Sequence, residues 1–158
     1  MAAIDDLDSQ IVLLFLAEPK IGVLEASRRL GVARATVQTR LDRLAERGVV
    51  SSWAPTVSPA ALGYPVTAFL TLEMVQGEGR QPVAEHLATI PEVLEACTIT
   101  GAGDLWCRVV ARSNADLQRV LDSVVSMPSI VRVATVIALQ AELAPRLAPL
   151  VEAARDGA

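Results

Sequence analysis

The run from Glu25 to Val50, EASRRLGVARATVQTRLDRLAERGVV, constrains this chain more than any other stretch. It reads as two helices around a tight turn, running into the start of a strand. Gly31 stands at the turn, where a left-handed backbone costs glycine little. Beyond it, Val37, Leu41 and Leu44 recur at i, i+4 and i+7, so one face of the second helix is buried. The other face carries Arg34, Gln38, Thr39 and Arg43. A helix that is apolar on one side and carries bidentate hydrogen-bonding groups on the other can pack on a scaffold while entering the major groove. The expected element is a helix-turn-helix, and its expected partner is double-stranded DNA.

The net charge of −4 is unusual for such a chain until it is split by region. Between Lys20 and Val50 there are seven basic residues against three acidic ones, whereas from Ala61 onward there are seven against eleven. Positive charge is concentrated on the reading unit, as phosphate contact requires. Thr36 is a further candidate for phosphate, near the helix start. Arg28, Arg29 and Lys20 are candidates for sequence-independent phosphate contacts. Arg40 lies closer to the buried edge and is expected to bridge to phosphate or to an acidic neighbour.

Hydrophobic residues make up 52% of the chain and aromatics only 3%, so a substantial core built from Val, Leu, Ile and Ala is expected. No apolar run approaches the roughly 20 residues of a membrane span. Asp5, Asp6 and Asp8 stand where a signal peptide would be basic, so a cytoplasmic location and no membrane partner are expected. Cys97 and Cys107 with the lone His86 are too few for a metal site. The cysteines are expected as reduced core thiols, equidistant from Ala102 and able to face each other across a hairpin. No catalytic set, cofactor motif or dinucleotide fingerprint is visible: Gly101-Ala102-Gly103 lacks the third glycine and the following helix.

Helices are expected over 6–16, 23–30 and 33–47, the last ending at Gly48. A short strand at Val49–Trp53, paired near Thr56-Val57, would form a wing. Pro55, Pro59 and Gly63-Tyr64-Pro65 mark a linker. The second half then reads as strand 66–75, a loop at Gly77-Glu78-Gly79, helix 82–90, strand 93–100, strand 105–111, a Ser113-capped helix and strand 131–139. That order is βαββαβ, the ferredoxin-like split motif. The fold class is α+β: a winged helix-turn-helix DNA-binding domain with linker at 1–62, and a ferredoxin-like effector-binding and oligomerisation domain with a C-terminal tail at 63–158. Both alternating residue sets of the strands are mostly apolar, although the helices cover only one sheet face. The second face therefore needs a cover, expected to be a partner sheet in a homodimer; the alternative cover is the tail. Arg108, mid-strand on that face, needs a partner, with Glu73 a hypothetical one.

Taken together, several runs resemble the Lrp/AsnC family, the leucine-responsive or feast/famine regulators. They are Asp5-Asp6-Leu7-Asp8, Arg29-Leu30-Gly31-Val32, the run from Thr36 to Val50, Pro59-Ala60-Ala61-Leu62-Gly63 and Thr100-Gly101-Ala102-Gly103-Asp104. The resemblance spans nearly the whole chain. It implies a transcriptional regulator whose dimers assemble into larger rings such as octamers. It also implies a small effector, usually an amino acid, bound between subunits. Mapped here, the effector residues are Thr100, Gly101, Ala102, Gly103, Asp104 and Leu105, with Asp104 facing an ammonium group and Thr135 near the same cleft. The chain departs from the family pattern at Ala33, where Ser or Thr usually caps the reading helix, at Ala26-Ser27, and at Trp106. Trp106 would fill the dimer sheet, or else line the pocket. Two other classes remain open: an architectural DNA-binding protein without effector, and a tetrapyrrole-binding, sirohaem-decarboxylase-like enzyme, disfavoured by the single histidine.

Overall fold

The computed structural model describes residues 4–156 apart from Gln76 and Glu78; Glu78 falls in the expected loop at Gly77–Gly79 and so lies outside the described residues. The chain forms two compact units. One holds the residues up to Thr56 together with those from Leu143 onward, and the other runs from Val57 to Glu142. The tail thus belongs with the N-terminal unit rather than with the sheet, where the expected boundaries placed it. Its helix contacts the first helix of the chain, although Leu143, Leu147 and Leu150 of the tail remain exposed.

The first unit contains α1 (Asp6–Ala17), α2 (Val23–Leu30), α3 (Arg34–Glu46) and the tail helix α6 (Ala148–Asp156). Asp5 caps α1 by accepting a hydrogen bond from the Asp8 N–H, and Asp8 reaches back to the Asp5 N–H in a capping box. Gly31 ends α2 at φ +67, the left-handed turn that its position predicts. Ala33 begins α3 without a side-chain cap, as expected for alanine. The core comprises Ile11, Ala26, Val37, Leu41 and Leu44.

The expected wing hairpin at Val49–Trp53 and Thr56-Val57 does not form. The N–H groups of Val49 and Val50 both turn back to the Leu44 carbonyl, at 2.9 and 3.1 Å, so they close α3 rather than start a ladder. Pro55 offers no N–H, and Ser52 Oγ takes the Ala54 N–H at 2.9 Å. The segment is an irregular arm, and Trp53 packs edge-on against Phe15 with ring centroids 5.8 Å apart.

The second unit is an antiparallel sheet in the order β2-β3-β1-β4, formed by β1 (Val66–Met74), β2 (Val93–Thr98), β3 (Leu105–Ala111) and β4 (Ile130–Ala138). Helices α4 (Arg80–Ala88) and α5 (Asn114–Val125) complete the βαββαβ order. Ser113 caps α5 through the Asp116 N–H, while the Asp116 carboxylate takes the N–H of Arg112 rather than that of the cap residue. On the helix side the core holds Ala68, Leu70 and Leu72 of β1, Leu105, Cys107 and Val109 of β3, and Val83, Leu87, Leu117, Val120 and Val124 of the helices.

Register places Phe69, Thr71 and Glu73 of β1 on the opposite face, with Trp106 and Arg108 of β3 and Arg132, Ala134 and Val136 of β4. There Phe69 and Trp106 stack with centroids 5.4 Å apart. Arg108 pairs with Glu95 at 3.6 Å, not with Glu73, which instead pairs with Arg132 at 3.5 Å. Adjacency explains both pairs, since Glu95 opposes Arg108 and Glu73 opposes Arg132 in the ladders.

The cysteines do not face each other. Cys97 opposes Trp106 and is exposed, whereas Cys107 opposes Ala96 and is buried on the helix side. Burial, with a smaller contribution from Cys97, pushes the Cys107 thiol up to about 11. His86, expected at the surface, is half-buried, with Nε2 2.9 Å from the Ser123 carbonyl oxygen. Among the described residues, no helix is long and apolar enough to cross a membrane.

Candidate DNA-reading face and effector turn

Two arrays emerge from this scaffold. The first lies on α3. Burial of Val37, Leu41 and Leu44 turns Arg34, Gln38, Thr39 and Arg43 to solvent, as the helical period predicts. Thr36 is half-buried beside them. Gln38 Nε2 donates to Asp42 Oδ1 at 2.8 Å, one turn on, which orients its amide before any contact with DNA. Among the described residues, Arg34 and Arg43 enter no ion pair, so both guanidinium groups are available to phosphates or guanine edges.

The remaining basic candidates divide. Lys20 is exposed. Arg28 lies 3.6 Å from Glu25, and Arg29 pairs with both Glu18 and Glu25. Their charge is partly offset within the unit, and they are weaker phosphate ligands than the raw count implies. Arg40 is held by Asp5 and Asp8, so of the two partners expected for it the acidic one is present. The backbone N–H of Asp8, and then Arg40, hold the Asp5 carboxyl below the usual carboxylate range. In the sequence, Asp5 and Asp8 speak against a signal peptide and for the family resemblance; their capping of α1 is local. Their second role lies about 35 residues away along the chain, and only the packing of α1 on α3 reveals it.

The second array is the turn between β2 and β3. Gly101 and Gly103 have φ of +102 and +101. At Gly101 an added Cβ meets open space, but at Gly103 it would lie 2.4 Å from Thr71 Cγ2 and 3.1 Å from the Leu72 carbonyl oxygen. Gly103 therefore lets the turn lie directly on β1. Asp104 fastens it there: its N–H donates to the Leu72 carbonyl at 2.8 Å, and its Oδ2 accepts the Met74 N–H at 2.8 Å. Thr100, Gly101 and Ala102 are exposed at the tip.

The structure does not group every residue expected around this turn. Leu105 is buried in the helix-side core. Thr135 is exposed but opposes Leu70, so it shares the helix-covered face of the sheet, whereas Gly103 lies against Thr71 of the open face. Within one subunit Thr135 and the turn belong to opposite faces.

Gly103→Ala should cost more than about 2 kcal/mol of sheet-unit stability, because backbone strain and a clash add. Urea unfolding measures the loss. Gly101→Ala, strained but facing open space, should show the smaller drop.

A helix-turn-helix with an exposed Arg-Gln-Thr face, joined to a βαββαβ unit, defines a DNA-binding regulator with an appended sensory-type domain. Comparison with known proteins bears this out. Residues 67–146 match the Lrp/AsnC ligand binding domain and residues 4–51 the winged helix-turn-helix DNA-binding family. The HTH-type transcriptional regulator FL11 of Pyrococcus furiosus is 31% identical over 137 residues, which is 87% of this chain and 90% of that protein. The solved structure of E. coli AsnC superposes with a TM-score of 0.85 at 26% identity, over 94% of this chain and all of that one. A feast or famine regulatory protein from M. tuberculosis, solved with L-methionine, superposes with a TM-score of 0.81 at 25% identity, over 91% and 97% of the two chains. The chain belongs to the Lrp/AsnC family and is a DNA-binding transcriptional regulator.

Proposed function

We propose that this regulator works as a homodimer, assembled further into a ring such as an octamer, whose DNA affinity is set by an amino acid bound between subunits at the Thr100–Asp104 turn. The observation that carries the effector reading is the turn itself. Its tip is exposed, Gly101 leaves space in front of the backbone, and Asp104 anchors it through Oδ2. The other Asp104 oxygen is then the candidate partner for an ammonium group, and Thr135 would reach such a ligand from a neighbouring subunit. L-methionine in the complex of the M. tuberculosis relative supports an amino acid as the ligand class.

The open sheet face supports the dimer. Val136 is 65% exposed there, beside the Phe69–Trp106 stack, and such apolar surface is stable in water chiefly when a partner covers it. A two-fold assembly presents two copies of α3 to two half-sites. An effector that favours one arrangement of the subunits would change the spacing of those helices and hence DNA affinity.

A thermal-shift screen of the twenty amino acids tests the effector. At least one should raise the melting temperature of the chain, because a ligand of the folded state stabilises it by mass action. Asp104→Asn should reduce that shift. Twenty flat curves would favour the architectural reading, DNA binding without an effector.

A further inference from the structure

We propose that Arg40 is a positioning residue of the DNA-reading helix rather than a DNA contact, and that Asp5 and Asp8 hold α3 in its reading orientation through it. Each aspartate divides its oxygens between two tasks. Asp5 Oδ1 accepts the Asp8 N–H at 2.8 Å and closes the α1 cap, while Oδ2 takes Arg40 Nη1. Asp8 Oδ1 takes the same Nη1 at 3.0 Å, while Oδ2 faces the Asp5 N–H at 3.4 Å and Arg47 Nη1 at 3.8 Å. The cap of one helix and the strut to another are a single network.

Burial says why Arg40 stays in it. The Asp8 side chain is only 5% exposed and that of Arg40 is 25% exposed. If Arg40 swung out to a phosphate, Asp8 would lose a partner while its charge stayed out of water, which is strongly unfavourable. With two carboxylates against it, Arg40 also adds little to the field that attracts DNA. Arg40 and Arg47, the latter the C-cap of α3, are seven residues apart, about two turns along one side of the helix, and both reach Asp8. Attachment at two points resists rotation of α3 about its own axis. The apolar stripe alone resists rotation less well, because Val37, Leu41 and Leu44 pack without direction. A small rotation would move Gln38 and Arg43 off the base edges they read.

If Asp8 acted only through its charge, removing that charge near DNA would strengthen binding. If Asp8 positions α3, removing it weakens sequence-specific binding. The full chain is titrated against a duplex recovered by in vitro selection with the wild-type protein, and against a random-sequence duplex. Asp8→Asn and Arg40→Gln should each lose about tenfold on the selected duplex, the size of one good base contact. On the random duplex Asp8→Asn should bind no more weakly than wild type, and Arg40→Gln should lose far less than on the selected duplex, without the full reduction in salt slope of a lost phosphate contact. The double variant should be no worse than either single one, as expected for one shared interaction. Arg34→Ala, by contrast, should weaken both duplexes and flatten the salt slope by about 0.9. Asp5→Asn is the milder second variant, because the Asp5 side chain is half exposed and its loss leaves the Asp8–Arg40 pair in place. It should weaken the selected duplex in the same sense. The proposal is overturned if Asp8→Asn or Asp5→Asn binds the selected duplex as tightly as wild type or more tightly. It is equally overturned if Arg40→Gln weakens both duplexes alike with a slope reduced by about 0.9.

Discussion

Leu44→Ala should abolish DNA binding while leaving the sheet unit folded. Leu44 is fully buried, and the core around it is small: Ile11, Ala26, Val37 and Leu41, with partly buried neighbours such as Phe15 and Val50. Truncating a buried leucine costs about 3 kcal/mol, because the lost transfer energy adds to the cavity left behind. A unit of this size is held by only about 3–5 kcal/mol, so the change consumes most of its stability. The sheet unit has a separate and larger core around Leu70, Leu72 and Val109. Urea unfolding followed by circular dichroism should therefore show an early transition for the first unit and an unchanged late one. Binding to a selected duplex should be lost with the early transition. A single shifted transition would show that the two cores are not independent.

Trp106→Glu should break the proposed dimer into monomers. Trp106 is half-buried in the isolated chain, stacked on Phe69 at the centre of the open sheet face. Opposed to a second sheet, a carboxylate at that position would lose its water without gaining a partner. Arg108 and Arg132, the arginines that share this face by register, are already paired with Glu95 and Glu73. Removing water from an unpaired charge costs several kcal/mol, twice over in a two-fold interface, which exceeds what most interfaces can absorb. Sedimentation equilibrium should show the mass fall to that of one chain. DNA affinity should fall with it, because one reading helix then engages one half-site. A dimer that survives Trp106→Glu would show that another surface holds the subunits together.

The elements that obeyed a single period were legible in the sequence. The i, i+4, i+7 stripe of α3, Gly31 at its left-handed turn and the Ser113 cap all stand where the residues place them. Alternation along each strand made the helix-side face legible, but the open face, expected to be mostly apolar, is mixed: the Phe69–Trp106 stack and Val136 share it with the Arg108–Glu95 and Arg132–Glu73 pairs. The misses share one cause, which is that they depend on register or on distant packing. Treating Ala102 as the hairpin centre pairs position 97 with 107. The actual ladder pairs Cys97 with Trp106, and a slip of one residue sends the two thiols to opposite faces. The wing failed because the N–H groups of Val49 and Val50 were needed to close α3. Asp104 was read as a ligand for an ammonium group. The structure adds a structural task, holding the turn on the Met74 N–H, that no local pattern reveals. The strut from Asp5 and Asp8 to Arg40 was half legible, as an acidic neighbour expected but not located.

In the proposed mechanism an amino acid at the Thr100–Asp104 turn changes how two paired α3 helices hold DNA. Equilibrium binding to a selected duplex, by fluorescence anisotropy with each of the twenty amino acids in turn, tests it most directly. Any amino acid that raises the melting temperature should also shift DNA affinity by about fivefold or more, the scale of a typical coupling between two sites. Asp104→Asn should remove that shift while leaving affinity without the amino acid unchanged. Identical binding curves under all twenty would contradict the mechanism.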